Sequence, residues 1–365
     1  MAEPHQREPD MQTPNPSFLT NGPLQVLEAK TLFPSNKVVV NKAATLNRLS
    51  TGRLMLAFGH SEGAVNGNFG SVVFSKSDDN GKTWSAPKVV HENPSWHCMI
   101  QGGMMRFRDD FVRLFVGGIQ IDFGLGGHQP FDKMYVVPVD TRDGGETWSK
   151  PGPEVSLFPV WTEMYGSSNP HKLSDGRYML ACMGTLGRDT DWHSGVTFTD
   201  SNGNGYTKPT IIAQAPGRDY SDIDCVRLND GRFLAVVREH QVKDSVYSHS
   251  SDEGKTWTPI KPTGFKGANP RLLKLRNGSI ACAYRNEDRA TRAINISVSE
   301  DGGHKWKLAG TLNVGDDSIP IKPSYISGYP SMVYINDRDI ACVFHTYPEK
   351  SGRVELHMVT LRDMT

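Results

Sequence analysis

The residue types that could do chemistry gather in short polar segments between apolar runs. They are Lys42, His60 with Glu62, His97, Asp222 with Asp224, Arg238, Arg285 with Arg292, Tyr329 and His345. Guanidinium groups grip an anionic ligand through paired charge-assisted bonds, and a lysine ammonium adds a point charge. Carboxylates and imidazoles hand protons on. A solvated loop face carries charge as well. Here arginine, histidine, tyrosine and carboxylates occur together in one class of segment, so these segments read as the lining of a polar ligand site. Whether they meet depends on the elements that carry them.

Two interleaved repeats supply those elements. The first is the octet Ser77-Asp78-Asp79-Asn80-Gly81-Lys82-Thr83-Trp84. Its Ser/Thr, Asp, Gly and Trp recur at the same offsets in Thr141–Trp148, Ser250–Trp257 and Ser299–Trp306, and a worn copy runs from Thr199 to Tyr206. Five copies in one register, about 49 to 64 residues apart, mark a repeat architecture. An aspartate that accepts backbone N–H bonds and a glycine free to take positive φ predict a tight turn, with the tryptophan covering it. Alternating apolar residues precede the octets, as in Val72 and Phe74, Tyr135 and Val137, and Ile294, Ile296 and Val298, so each octet reads as a hairpin turn. The octets have a structural role; the chemistry lies elsewhere.

The second repeat is a strand, a polar turn and another strand, as in Ala44–Leu49 followed by Leu54–Phe58. Six such hairpins occur, three of them turning through Asp175-Gly176, Asp230-Gly231 and Asn277-Gly278. Each is followed by a loop and an octet hairpin, except the last, which is followed only by Val354–Leu361. The expectation is an all-β chain, a six-bladed β-propeller with four-stranded antiparallel blades. Gln25–Leu32 would supply the strand that the last unit lacks. Residues 24–365 would then form one domain, and the polar, proline-rich residues 1–23 a disordered tail. In that arrangement the candidate segments fall on one face and converge on the central funnel, while the octets lie on the other.

Composition narrows the partners. Lys+Arg and Asp+Glu stand at 40 each, which gives no reason to expect nucleic acid or an anionic membrane surface. No apolar run approaches the roughly 18 residues of a membrane span. The tail has no apolar leader region, so a cytoplasmic place is expected for the chain as written. The five cysteines are odd in number and have no metal-type spacing; Cys182, Cys282 and Cys342 sit in apolar strands as small hydrophobes. Neither a metal nor a cofactor is expected, and the chain reads as a monomer that binds an acidic carbohydrate or another small molecule.

From residue 25 to about 363, the octets and the count of units resemble the Asp-box (BNR-repeat) sialidase superfamily. The resemblance implies a substrate carboxylate held by arginines, a tyrosine nucleophile paired with a glutamate, and an aspartate acid/base. A phenol is a poor nucleophile until a neighbouring carboxylate takes its proton. On this pattern Tyr329 looks like the nucleophile, Arg238 and Arg292 look like two of the arginines, and Asp222 or Asp224 lies where the glutamate belongs. Lys42 stands where the first arginine would be. The loop that would carry the aspartate holds Asn66 and Asn68, with Glu62 the nearby carboxylate. The implied catalytic set is Tyr329, Asp222, Asp224, His60 and Glu62. The implied substrate-binding set is Lys42, His97, Arg238, Arg285, Arg292 and His345. The segment Phe58–Gly63 also resembles a branch that includes lyases of rhamnose–glucuronate linkages, where His60, His97 or Tyr329 could act as the base. A lectin-like propeller, and one that binds a small molecule other than sugar, remain as alternatives.

Overall fold

The computed structural model describes residues 15–18, 22–34, 39–62, 70–120, 133–164, 170–186, 191–241, 244–287, 293–313, 328–346 and 354–365. Among these there is no α-helix, and every pair of named strands is antiparallel. In chain order the strands are β1 (Asn15–Phe18), β2 (Leu24–Leu32), β3 (Val39–Arg48), β4 (Leu54–Glu62), β5 (Ser71–Ser77) and β6 (Lys88–Glu92). There follow β7 (His97–Arg106), β8 (Val112–Gln120), β9 (Lys133–Thr141), β10 (Trp161–Glu163), β11 (His171–Lys172), β12 (Tyr178–Thr185), β13 (Trp192–Thr199) and β14 (Thr210–Ala213). The remainder are β15 (Tyr220–Arg227), β16 (Phe233–Glu239), β17 (Asp244–Ser250), β18 (Lys261–Lys274), β19 (Ile280–Asn286), β20 (Ile294–Ser299), β21 (Lys307–Asn313), β22 (Gly328–Tyr334), β23 (Asp339–Thr346) and β24 (Glu355–Asp363).

These strands form serial meanders, consistent with a β-propeller. β3 to β6 make one sheet and β7 to β9 another; β10 to β14 make a third. β15 to β21 form a continuous sheet, because the long β18 is the last strand of one meander and the first of the next. β22 to β24 complete the series, and β2 pairs along β24 from Leu24↔Asp363 to Leu32↔Leu356. The N-terminal segment thus supplies the fourth strand of the final sheet.

One expectation needs correction. The residues before 24 do not all form a disordered tail, because Asn15–Phe18 pairs with β21 from Asn15↔Asn313 to Phe18↔Gly310. β21 otherwise leaves a row of backbone N–H and C=O groups open at a sheet edge, and a short added strand satisfies them.

Among the described residues, six apolar clusters join each meander to its neighbour. Met55 and Phe74 pack with Met104 and Leu114, and Phe107 and Phe115 with Tyr178 and Leu180. Met179 and Val196 meet Ile223 and Phe233, and Leu234 and Val236 meet Leu272 and Ile280. Ala281 and Ile296 meet Ile340 and Phe344. The remaining cluster places Leu46 and Phe58 against Val343 and Met358, so the end of the chain packs on its beginning. Burying a Leu, Ile, Phe or Met side chain is worth about 1.5–3 kcal/mol each, which makes these interfaces the main source of cohesion. The five cysteines are free and buried.

The octets fold into one turn repeated. Ser77 Oγ donates to Asp79 Oδ1 at 2.7 Å, the Gly81 N–H donates to Ser77 Oγ at 2.9 Å, and the Thr83 N–H donates to Asp79 at 2.9 Å. The Trp84 indole N–H closes on the Gly81 carbonyl at 3.1 Å. Ser250, Asp252, Gly254 and Trp257 repeat these bonds, as do Ser299, Asp301, Gly303 and Trp306. Thr141 and Asp143 repeat them except that Trp148 stands edge-on to Phe74. In the worn copy Asp200 replaces the missing aspartate and accepts from the Asn202 and Asn204 N–H groups at 2.8 and 2.9 Å. The turns between first and second strands share this face: Arg53 bonds Asp78 in its own unit and Glu146 in the next, at 2.7 and 2.9 Å.

Bonds from the Thr83 and Thr147 hydroxyls are the largest influence holding the Asp79 and Asp143 carboxyls at about 2. A carboxyl depressed on folding stabilises fully above its unfolded value of about 3.9 and loses that contribution as pH falls through the folded value. Acid unfolding is therefore expected to set in below pH ~4. Asp79→Asn with Asp143→Asn is expected to flatten the dependence between pH ~4 and ~2, read as urea midpoints across that range. An unchanged slope would place the acid sensitivity elsewhere.

Candidate active site

The first strands of four meanders carry an irregularity of one kind. Register shifts fall between Lys42 and Thr45, Ser221 and Ile223, Ala268 and Arg271, and Gly328 and Ser331. In each shift sits a non-glycine residue with positive φ: Ala43 at 52°, Asp222 at 44°, Asn269 at 53° and Tyr329 at 54°. The left-handed region costs an L-residue about 1–2 kcal/mol, and a bulge re-aims the side chain that occupies it. Such strain, repeated at equivalent places in four strands, marks a site that the surrounding sheets hold in shape.

The same alignment separates the two candidate aspartates. Two residues beyond the bulge lie Thr45, Asp224 and Ser331, and all three tie one first strand to the next. The Met104 N–H donates to Thr45 Oγ1 at 3.0 Å, and the Leu46 N–H to Ser331 Oγ at 3.0 Å. Asp224 is fully buried and accepts from the N–H groups of Cys225 at 2.8 Å and Leu272 at 2.7 Å. Its carboxylate is thus engaged in joining β15 to β18. Asp222, at the bulge, is placed as Tyr329 is.

Asp222 anchors a chain of charges. Arg238, near the end of β16, donates from Nη1 to Asp222 Oδ2 at 3.0 Å and from Nη2 to Glu287 Oε1 at 3.2 Å. Arg285 on β19 donates to that same Glu287 oxygen from Nη2 at 2.8 Å. The Asn269 N–H adds a bond to Asp222 at 3.3 Å. Burial raises the Asp222 carboxyl, but Arg238, His240 and Arg285 outweigh it and hold the group below the usual carboxylate range. Asp222 is therefore ionised at neutral pH. These described cations and anions, Arg238 and Arg285 against Asp222 and Glu287, balance in charge.

Tyr329 lies within the field of this group. Burial is the largest influence pushing its phenol up to about 12; Asp222 and Glu163 add to the shift, while Arg285 and Arg238 oppose it. The His345 ring stacks on the phenol at 5.6 Å between centroids. His345 Nδ1 accepts the Ala43 N–H at 3.2 Å, which leaves the imidazole proton on Nε2. Glu163 closes β10. Two residues apart on a strand, Trp161 and Glu163 share a face, and the indole N–H donates to Glu163 Oε1 at 2.7 Å. Burial first, and then Asp222, push the Glu163 carboxyl up to about 8. Glu163, Arg238, Arg285, Glu287 and Tyr329 are all half-buried, whereas Met164, Gly328 and Pro330 beside them are buried. The polar set therefore keeps a small part of its surface open to solvent.

The structure brings together Tyr329, Asp222, Arg238, Arg285 and His345. His60 lies on β4 and donates from Nδ1 to Asn41 Oδ1 at 2.7 Å. Lys42 lies on β3, Glu62 ends β4 and His97 opens β7. Their side chains, the whole of Arg292 and the loop with Asn66 and Asn68 lie outside the described residues. Residue spacing alone assigns no role to Glu163 or Glu287. The Arg285-x-Glu287 alternation was the available signal for the second, since such residues share a strand face; Glu163 had only its place in one of the polar segments between strands. Among the described residues no cluster of His, Cys, Asp and Glu could hold a metal ion, and no helix is long and apolar enough to cross a membrane.

Comparison with known proteins follows the same lines. Residues 108–342 match the model of a BNR repeat-like domain. No curated protein matches the sequence. Among solved structures, a protein of unknown function from Dyadobacter fermentans superposes with a TM-score of 0.75 at 16% identity, over 93% of this chain and 99% of that one. The NanB sialidase of Streptococcus pneumoniae gives 0.64 at 14% identity, over 93% of this chain and 70% of that one. An α-L-arabinanase of Penicillium chrysogenum complexed with arabinobiose gives 0.60 at 16% identity, over 93% and 99%. At these identities the likeness is one of fold.

Proposed function

Since the chain belongs to the BNR repeat-like domain family, we propose that it is a six-bladed propeller with Asp-box turns and a sialidase-like, carbohydrate-active enzyme that cleaves an exposed acidic sugar in its central pocket. The succession of six apolar interfaces and the β2–β24 pairing support the ring. One observation carries the function: Tyr329 is held at φ 54° in a bulge, half-buried, beside the ionised Asp222 and the arginine pair. Strain of this kind persists where the surrounding structure over-determines it and geometry matters.

In this reading the Tyr329 oxygen attacks the anomeric carbon, and Asp222 takes the phenol proton as the bond forms. The proton stays on Tyr329 until then, because the phenol is raised and the carboxyl lowered. Transfer becomes favourable only as positive charge develops on the sugar ring. Arg238 and Arg285 supply the positive charge that meets the acidic group of the substrate. The test is to incubate the protein with an aryl sialoside, reading released phenol, and with a rhamnosyl-glucuronate oligosaccharide, reading ultraviolet absorbance from a new C=C bond. Phenol release lost in Tyr329→Phe supports the hydrolase. New absorbance instead favours the lyase, and silence on both sugars contradicts the proposal.

A specific contact favours a second reading. Glu287 already accepts from both arginines, so the described charges balance without a ligand and a neutral glycoside fits as well. Glu287→Gln separates the two. For an acidic substrate, freeing the guanidinium groups is expected to lower KM about tenfold, equivalent to ~1.4 kcal/mol. For a neutral substrate KM is expected to stay level or rise.

A further inference from the structure

A glycosidic bond does not break readily unless the departing oxygen receives a proton. The loop where an aspartate would be expected carries Asn66 and Asn68 instead, and an amide cannot supply one. Each described acid near Tyr329 is paired with arginine or with two backbone N–H groups, apart from one. Asp222 is paired with Arg238, Glu287 is shared by Arg238 and Arg285, and Asp224 accepts two backbone N–H groups. The remaining carboxyl is that of Glu163.

We propose that Glu163 is the proton donor of this site, giving its proton to the leaving glycosidic oxygen and afterwards taking one from the attacking water. This rests on the glycosidase reading above. Three observations place it. Glu163 pairs across the sheet with Met183, and Met183 Sδ receives the Asp222 backbone N–H at 2.9 Å, so β12 links Glu163 of β10 to the Asp222 bulge of β15. Glu163 interacts electrostatically with both Asp222 and Tyr329. The indole N–H of Trp161 fixes one carboxyl oxygen, Oε1, leaving Oε2 to carry the proton, while the residue keeps part of its surface open. Met164, next in the chain, is locked to the adjoining first strand, where its carbonyl accepts the Gly103 N–H at 3.1 Å. Glu163 therefore stands on a fixed support.

The chemistry balances. In the first half the C–O bond to the leaving group breaks and the Tyr329 O–C bond forms. The Glu163 proton goes to the leaving oxygen, and the phenol proton goes to Asp222. In the second half water attacks the same carbon, the water O–C bond forms as the Tyr329 O–C bond breaks, Glu163 takes the water proton, and Asp222 returns its proton to the phenol. Two carboxyls whose surroundings hold one ionised and one protonated are what this division of labour requires. Among the described residues, the titratable groups facing Glu163 are Asp222 on β15 and Tyr329 on β22. Burial and then the charge of Asp222 disfavour a second negative charge there, so the proton is retained at neutral pH and shed as pH rises through about 8.

Two measurements test the assignment. The first compares Glu163→Gln with wild type on two glycosides of one sugar, a nitrophenyl glycoside whose leaving group needs no proton and an alkyl glycoside whose leaving group does. General acid catalysis is worth about 10²–10⁴-fold. The expected result is a loss of that size in kcat/KM for the alkyl glycoside, a loss below about tenfold for the nitrophenyl glycoside, and disappearance of the alkaline limb of the pH profile. Equal losses on both substrates, or an alkaline limb that survives, overturn the assignment. The second measurement is independent of activity: infrared difference spectra between pH 6 and pH 10 on the whole protein. A protonated-carboxyl band that titrates in wild type and is missing in Glu163→Gln shows that Glu163 holds the proton the assignment needs; if no glycoside is cleaved the glycosidase reading fails, and that proton remains as its own result. Absence of such a band in wild type overturns it.

Discussion

Replacing Arg238 by methionine is expected to be the most destabilising single change in the site, at about 3–5 kcal/mol. The guanidinium joins Asp222 at 3.0 Å and Glu287 at 3.2 Å, and all three side chains are largely withdrawn from water. Removing it leaves Asp222 with an uncompensated charge in a buried setting, because its other described bond is the long one from the Asn269 N–H. Glu287 retains Arg285 and suffers less. The measurement is the urea midpoint of Arg238→Met against wild type at neutral pH. Adding Asp222→Asn and Glu287→Gln to the same protein removes the stranded charges and is expected to restore most of the loss, since the cost lies in unpaired ions and not in missing volume. A single-variant loss under about 1 kcal/mol would show that water reaches the cluster and screens it as it screens surface pairs.

Tyr329→Phe is expected to abolish turnover, by at least about 10³-fold in kcat, with KM within a few-fold of wild type. The ring remains, so its stacking on His345 and its place in the bulge persist. Phenylalanine adopts the left-handed conformation at the same cost as tyrosine, and stability should change little. The hydroxyl alone is lost, and with it both the nucleophile and the proton that Asp222 would receive. Loss of kcat at constant KM is the signature of an interaction made in the transition state. A parallel rise in KM with kcat retained would instead give the hydroxyl a binding role.

Legibility from sequence followed how locally each feature closes. The octets are plain because every bond that shapes the turn lies within eight residues, from Ser77 to Trp84. The meanders are plain because apolar alternation and Asp-Gly or Asn-Gly turns are local as well. Even the pairing of β2 with β24 is readable, because the last unit is one strand short. By contrast, nothing local separates Asp222 from Asp224. The difference lies in a bulge that only pairing with β16 defines, and in the Leu272 N–H brought from β18. Glu163 is less legible still. The rise of its carboxyl depends on burial and on Asp222 brought from β15, features that no local spacing carries. The pairing of Asn15–Phe18 with β21 escapes a composition argument because the strand is short and is held by an edge far along the chain.

The central claim is that Tyr329 forms a bond to the substrate, and the most direct measurement is to catch that bond. Wild-type protein turning over a susceptible glycoside is quenched in acid, digested, and its peptides are weighed. The account predicts a peptide spanning Gly328-Tyr329-Pro330 heavier by one sugar residue, the glycosyl group having replaced the phenol hydrogen, present during turnover and absent once substrate is exhausted. A sugar carried on another residue, or active protein that never shows the adduct and stays active as Tyr329→Phe, would contradict it.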